Sequence, residues 1–218
     1  MRYRCMMAAK ERAYAYTKQR VLDLRFPGGA MLSEGEVADA LDMSRTPVRE
    51  AFVQLESEGL LRLYPKRGAL VVPVSVAEVE SVLETRLLIE RHAIEKVILR
   101  GIDLSDDLEA SIAEQARLAD ADDTAAFVNA DREFHRLFVA AAGNPTLLAL
   151  HDSLRDRQGR IGIAAIARDA GRSRSILAEH RELVTAVTAR KPSDALAIIG
   201  RHLDNTLRLL LPRGGMSS

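Results

Sequence analysis

Residues 44–70, SRTPVREAFVQLESEGLLRLYPKRGAL, constrain the fold of this chain more than any other stretch: a basic helix start, an apolar helix, then a glycine-hinged basic hairpin. Just upstream, Val37, Ala38 and Leu41 are spaced for one face of a short helix, and Asp42-Met43 marks a tight break before Ser44. Two short helices meeting at an angle follow from that pattern. Ser44 is a good N-cap, and Pro47 falls in the first turn, where a missing N–H costs nothing. Val48, Phe52, Leu55 and Leu60 form the stripe to be buried, while Arg45, Thr46 and Arg49 crowd the exposed first turn. Gly59 suits a left-handed helix stop, and residues 60–64 and 69–72 read as two strands joined by Pro65-Lys66-Arg67-Gly68.

This is the outline of a winged helix-turn-helix. A recognition helix of that kind points its first turn into the major groove, where Arg45 and Arg49 can pair bidentately with guanine. Ser44 and Thr46 suit phosphate, or a thymine methyl in the case of Thr46, and Lys66, Arg67 and Gly68 at the wing tip can reach phosphate or a minor groove. The residues Ala15-Tyr16, Pro27-Gly28, Leu32-Ser33-Glu34, Val37-Ala38, Ser44 to Glu50, Glu58-Gly59-Leu60 and Arg67-Gly68 resemble the GntR family of bacterial transcription regulators. One departure is visible: Asp23 stands where the family usually has Gly, and Asp tolerates a left-handed C-cap.

The chain has 218 residues, room for a small domain and a larger one. Its formal charge is zero, but through Ser75 twelve Lys and Arg face nine Asp and Glu, so the excess is basic where DNA would be met. The single cysteine, Cys5, excludes an internal disulfide framework and fits a reducing compartment. Arg2, Arg4, Lys10 and Arg12 precede no long apolar segment, and no run approaches a membrane span, so a cytoplasmic protein without membrane contact is expected.

From Val76 onward the pattern is helical, with helices expected over about 76–100, 105–119, 123–142, 145–166, 172–190 and 193–211. Pro145 and Pro192 suit helix starts, and residues 72–75 read as a linker. The expected fold is therefore mainly α. A winged helix-turn-helix with a small β-hairpin wing spans residues 1–74, and an antiparallel α-helical bundle spans residues 75–218.

Inside the bundle, a helical wheel at 100° per residue puts Phe127, Phe134 and Phe138 within about 60° of Asp131, and His135 about 40° away. His180 is bracketed by Ile176, Leu183, Val184 and Val187, and His202 by Ile198, Ile199, Thr206 and Leu209. Three histidines and an aspartate thus face an apolar core from three helices. A buried carboxylate needs compensation, and a divalent metal, Zn, Ni, Fe or Mn, suits imidazole and carboxylate ligands. His92, flanked by Glu95 and Lys96, and His151, near Arg155, read as surface or boundary residues outside this set. Arg86 shares a helix face with Val79, Val82, Ile89, Ala93 and Val97. It either pairs with Glu90 one turn later or reaches a ligand.

The C-terminal half is similar to the FCD domain of the FadR subfamily. That resemblance implies a metal held by Asp131, His135, His180 and His202, with open positions for a small carboxylate effector and Arg86 helping to hold it. It also implies a homodimer on a pseudo-palindromic double-stranded operator, most often as a repressor. Two alternatives stand beside this reading. The metal could be purely structural, or the site could be that of a hydrolytic enzyme. Against the enzyme, Glu133 and Glu179, the available bases, each lie within two positions of a ligand in sequence and so point about 100° or more away from it, and no nucleophile accompanies them.

Overall fold

The computed structural model describes residues 8–211, so Arg2, Arg4 and Cys5 lie outside the described residues. The chain divides into two compact units between Val74 and Ser75. The first runs α1 (Ala9–Leu22), β1 (Met31–Leu32), α2 (Glu34–Leu41), α3 (Arg45–Ser57), β2 (Leu61–Tyr64) and β3 (Gly68–Val71). Ser33 caps α2 in a reciprocal box: its hydroxyl accepts from Gly35 N at 3.1 Å, and Glu36 Oε2 accepts from Ser33 N at 3.3 Å. Asp42 then turns left-handed at φ 49°, and Met43 N donates to Ala38 O at 3.0 Å. That closure stops α2 and launches α3 in a new direction.

Helix α3 buries Val48, Ala51, Phe52 and Leu55, and Leu60 follows them into the same core with Val21, Val37, Leu61, Ala69 and Val71. Gly59, at φ 74°, ends the turn, and Leu60 N closes on Leu55 O at 3.0 Å. The expected hairpin forms with Leu63 opposite Ala69 and Tyr64 opposite Gly68. It is not alone, because the two-residue β1 pairs with β3 and makes a three-stranded antiparallel sheet ordered β1-β3-β2. The left-handed residue after α1 is Leu24, at φ 58°, whereas Asp23 sits at φ −90°. Asp23 instead accepts from Arg25 N at 3.2 Å, so it serves the turn through its carboxylate.

The second unit is helical throughout its described residues: α4 (Val76–Arg100), α5 (Ser105–Asp120), α6 (Thr124–Ala141), α7 (Pro145–Ser153), α8 (Arg155–Arg168), α9 (Arg172–Thr188) and α10 (Pro192–Leu210). Ser75 closes the linker as the N-cap of α4, accepting from Glu78 N at 3.1 Å. Helix α4 lies against α6 and α10, and α5 against α6 and α9. Their shared core is built on Phe127, Phe134, Phe138, Ile94, Leu183 and Ile199, all buried.

The helix expected over 145–166 is two helices. Ser153 Oγ donates back to Leu150 O at 2.6 Å, and the chain bends at Leu154, which is buried. A back-bonding serine bends a helix without any proline or glycine to announce it. The break lets short α7 pack on α6 and α4, with consequences for His151.

The wing depends on Gly68. At φ 98° its position already disfavours a side chain, and a Cβ there would lie 2.2 Å from Leu32 O in the neighbouring strand. Gly59 is equally left-handed but faces open space. Gly68→Ala should therefore cost more than the roughly 1–2 kcal/mol that a left-handed conformation alone demands, and Gly59→Ala about that amount. All four tyrosines precede residue 75, so urea unfolding followed by tyrosine fluorescence reads this unit separately. Equal losses for the two variants would refute the steric argument.

Candidate functional site

The first turn of α3 is exposed at Ser44, Arg45, Thr46 and Arg49, and so are Lys66 and Arg67 at the wing tip. Ser44 has the extended backbone of an N-cap, but its hydroxyl makes no capping bond. Lys66 is left-handed at φ 63°, and Arg67 N returns to Tyr64 O at 3.0 Å, which holds the tip in a tight turn. Helix α2 lies against both arginines of this turn. Glu34 receives the Arg49 guanidinium in a fork, Nε to Oε1 at 2.9 Å and Nη2 to Oε2 at 3.1 Å. Arg45 passes over Gly35, where a Cβ would come within 3.3 Å of its Nη2. The Glu34–Arg49 pair spans fifteen positions and carries no periodic signal in the sequence.

In the bundle, Asp131 and His135 of α6, His180 of α9 and His202 of α10 each bring one ligating atom to a common point, all within 4.8 Å of one another. The three imidazole centroids form a triangle with sides of 5.0 Å each. Asp131 Oδ1 stands 3.5 Å from His180 Nε2 and 3.9 Å from His135 Nε2. Those three atoms are buried and have no hydrogen-bond partner. Unpartnered buried polar atoms cost about 1–3 kcal/mol each, and a divalent cation would satisfy all three at once. The donor set therefore fits a metal such as zinc, nickel, iron or manganese.

The other ring nitrogens are held from outside. His180 Nδ1 meets Gln115 Oε1 of α5 at 2.8 Å, and His202 Nδ1 meets Glu179 Oε2 at 2.7 Å. His135 Nδ1 lies 2.8 Å from Glu90 Oε2 of α4, at a bent angle. Such partners orient a ligating ring and fix which nitrogen faces inward. Phe134 adds a stacking surface 4.0 Å from the His180 ring. Burial pushes His180 well below the ordinary histidine range, with His135, His202 and Arg86 adding to it, and burial lowers His202 as well. Neutral imidazole is the form that binds a cation.

Glu179 does not stand apart from the site. Although its neighbour His180 is a ligand candidate on the same helix, its carboxylate reaches across to His202 on α10. It also accepts from Arg172 Nη1 at 3.1 Å and Asn205 Nδ2 at 2.7 Å. Burial opposes its ionisation, but the bonds from His202 and Arg172 bring it down to about 2. Glu133 is exposed, as its position implies. Gln115 could have been noticed as a lone polar residue on the stripe of Leu108 and Leu118; Glu179 and Arg172 gave no such sign.

Arg86 is buried, and its Nε donates to Glu90 Oε1 at 2.7 Å. The ion pair and the inward reach coexist, because Arg86 Nη2 remains buried and unpartnered. Burial alone would raise the Glu90 carboxyl, yet the Arg86 charge and His135 hold it well below the usual range. His92 is exposed, but the surface assignment of His151 is wrong: it is 1% exposed, with Nε2 3.5 Å from Glu90 Oε1. The packing of α7 on α6 and α4 is what makes His151 face the interior.

A basic first turn on a helix-turn-helix, backed by a wing and joined in one chain to a bundle with a polar heart, defines a DNA-binding transcription regulator. Residues 9–71 match the family described as bacterial regulatory proteins, gntR family, and residues 81–205 match the FCD domain. The chain belongs to the GntR family, in its FCD-containing branch. An HTH-type transcriptional regulator from an unstable DNA locus of Streptomyces ambofaciens is 32% identical over 195 residues, 87% of this chain and 80% of that protein. The gluconate operon transcriptional repressor of Bacillus subtilis is 29% identical over 143 residues, 63% of this chain and 57% of that protein. A solved GntR transcriptional regulator from Rhodococcus sp. RHA1 superposes with a TM-score of 0.73 at 22% identity, covering 92% of this chain and 97% of that one, which speaks for the fold alone. Family and relatives are regulators and not enzymes, so the hydrolytic alternative falls.

The buried Arg86–Glu90 pair sets a test of the core. Arg86→Leu strands a buried carboxylate and should cost about 3–5 kcal/mol, whereas Arg86→Leu with Glu90→Leu should recover much of that loss. Urea unfolding of the full chain under chelator, followed by circular dichroism at 222 nm, reads the difference. A double variant no more stable than the single one would show that the two charges do not compensate each other.

Proposed function

We propose that this protein is a homodimeric repressor whose hold on a pseudo-palindromic operator is set by a small carboxylate effector bound at a metal in the bundle. The observation that carries the reading is the convergence of Asp131, His135, His180 and His202 on one point with three of their ligating atoms otherwise unpartnered. Those residues would hold one divalent transition metal, which would supply a Lewis-acidic position for an effector oxygen. Arg86, with Nη2 free inside the bundle, would take the carboxylate. The relation to the gluconate operon transcriptional repressors supports the repressor role.

In the winged unit, α3 enters a major groove in each half-site. Arg45 and Arg49 read bases, while Ser44, Thr46, Lys66, Arg67 and Gly68 set the position along the backbone. Arg49 must exchange Glu34 for a base edge, and its exposure makes that exchange easy. Effector and operator are coupled to the extent that the acid binds the DNA-competent and incompetent states unequally. No helix among the described residues is long and apolar enough to cross a membrane, and an operator-binding role puts the protein in the cytoplasm.

Arg49→Ala should weaken operator binding roughly five- to hundredfold and relax preference at one base position, measured by gel shift at fixed salt. Unchanged affinity and preference would mean that α3 is not the reading helix. For the bundle, metal analysis of purified protein should find one divalent ion per chain, absent in His180→Ala. Gln115→Ala should lower metal affinity about 10- to 100-fold, because it only orients His180. Chelation should abolish thermal stabilisation by carboxylates while leaving the helical signal in place; loss of the fold on chelation would assign the metal a structural role instead.

A further inference from the structure

One buried group that the proposed function leaves without a task is His151. His151 sits on α7 with its ring enclosed, and neither nitrogen makes a hydrogen bond, the Nε2 contact of 3.5 Å to Glu90 Oε1 being too poor to count. A neutral imidazole carries one N–H donor and one lone-pair acceptor, so in either tautomer His151 has a donor and an acceptor to satisfy. Arg86 is its neighbour through Glu90. Both side chains approach Glu90 Oε1, Arg86 through Nε at 2.7 Å, and Arg86 Nη2 is also buried and unpartnered. Glu90 Oε2 in turn lies 2.8 Å from His135 Nδ1, so these groups adjoin the candidate metal centre through a single carboxylate.

We infer that His151 is a specificity-determining residue of the effector site, reading a hydroxyl group carried by an acid whose carboxylate is held by Arg86. The inference rests on the effector reading given above. The chemistry narrows the partner. An apolar tail beside His151 would leave both its nitrogens unmet. An ammonium group would be repelled by Arg86 and could use only the acceptor, and a second carboxylate could use only the donor. A hydroxyl is both donor and acceptor, so it matches either face of the imidazole. A site built to hydrogen-bond a hydroxyl rejects the analogue that lacks it, because its own polar groups are then left unpaired. The sequence offers no sign of this role, since His151 becomes internal only through the packing of α7.

The test uses full-length, zinc-loaded protein and isothermal titration with matched acids: propionate against lactate, succinate against malate, hexanoate against gluconate. For at least one pair the hydroxy acid should bind about tenfold or more tightly than its partner, as one well-made buried hydrogen bond demands. In His151→Phe, which removes both nitrogens from a ring of similar size, that ratio should collapse to within about threefold, and His151→Gln, which keeps a donor and an acceptor, should restore part of it. Zinc content and circular dichroism qualify each variant, and His151→Gln carries the test if the phenylalanine variant does not fold. A purely structural histidine would weaken both members of a pair in parallel and preserve the ratio, which overturns the inference. Equal binding of both members by the unaltered protein overturns it too. If the zinc-loaded protein binds no acid at all, the effector reading itself fails and takes this role of His151 with it.

Discussion

Everything in the bundle answers to the cost of putting charge and imidazole into an apolar core. Glu90, 1% exposed, is the hub of that problem. It takes the Nε of Arg86, stands against His135 and approaches His151, so three of the buried polar side chains lean on one carboxylate. A lone carboxylate in this position would cost several kcal/mol, and the neighbouring arginine keeps it charged. The phenylalanines of α6 do the opposite work. Phe134 packs face to face on His180 and edge-on against His135, closing the polar cluster from the side and excluding water. Low polarity strengthens every interaction inside, which helps the bonds to Gln115 and Glu179, with Glu90 close to His135, to hold three rings in a triangle.

Those outer bonds come from helices other than the ones they support. Gln115 on α5 holds a ring on α9, Glu90 on α4 faces a ring on α6, and Glu179 on α9 holds a ring on α10. The site is therefore a consequence of the whole bundle and not of any one helix. Arg172 shows the same logic: buried on α9, it donates to Glu179, to the His202 carbonyl and to Thr206 Oγ1, and so ties the first turn of α9 to the last turns of α10. Helix α4 carries both Arg86 and Glu90 and begins at Val76, with only residues 72–75 separating it from the last strand of the wing.

What could be read in advance divides along the range of the interactions. The recognition turn, the wing and the stripe of Val48, Phe52 and Leu55 are local patterns, and they stand in the structure as the spacing implies. Asp131 and His135 are four residues apart, and the wheel alone turns them inward. Strand β1 was invisible because two residues acquire strand character only by pairing with β3. The bend at Leu154 was invisible because a serine hydroxyl makes it. Neither His151 nor Glu179 is legible from its own helix, because what each faces, Glu90 and His202, lies on another. Sequence neighbours decide which face a side chain occupies, but only packing decides what that face meets.

The two arginine–carboxylate pairs, Arg49 with Glu34 and Arg86 with Glu90, are the same device in different solvents. In each, the carboxylate takes the Nε side of the guanidinium and sets its direction. Arg49 is 72% exposed, so water and salt screen the pair and its separation costs little. The fork limits the rotamers of a long side chain before DNA arrives, and it keeps a negative charge beside the basic turn, which disfavours indiscriminate attachment to phosphate. Arg86 is 7% exposed, and its separation from Glu90 would leave two uncompensated charges in the core. It therefore cannot trade partners as Arg49 does. It can only add one, through the Nη2 that faces no partner in the bundle. Exposure alone thus makes one pair easy to separate and the other a fixed anchor.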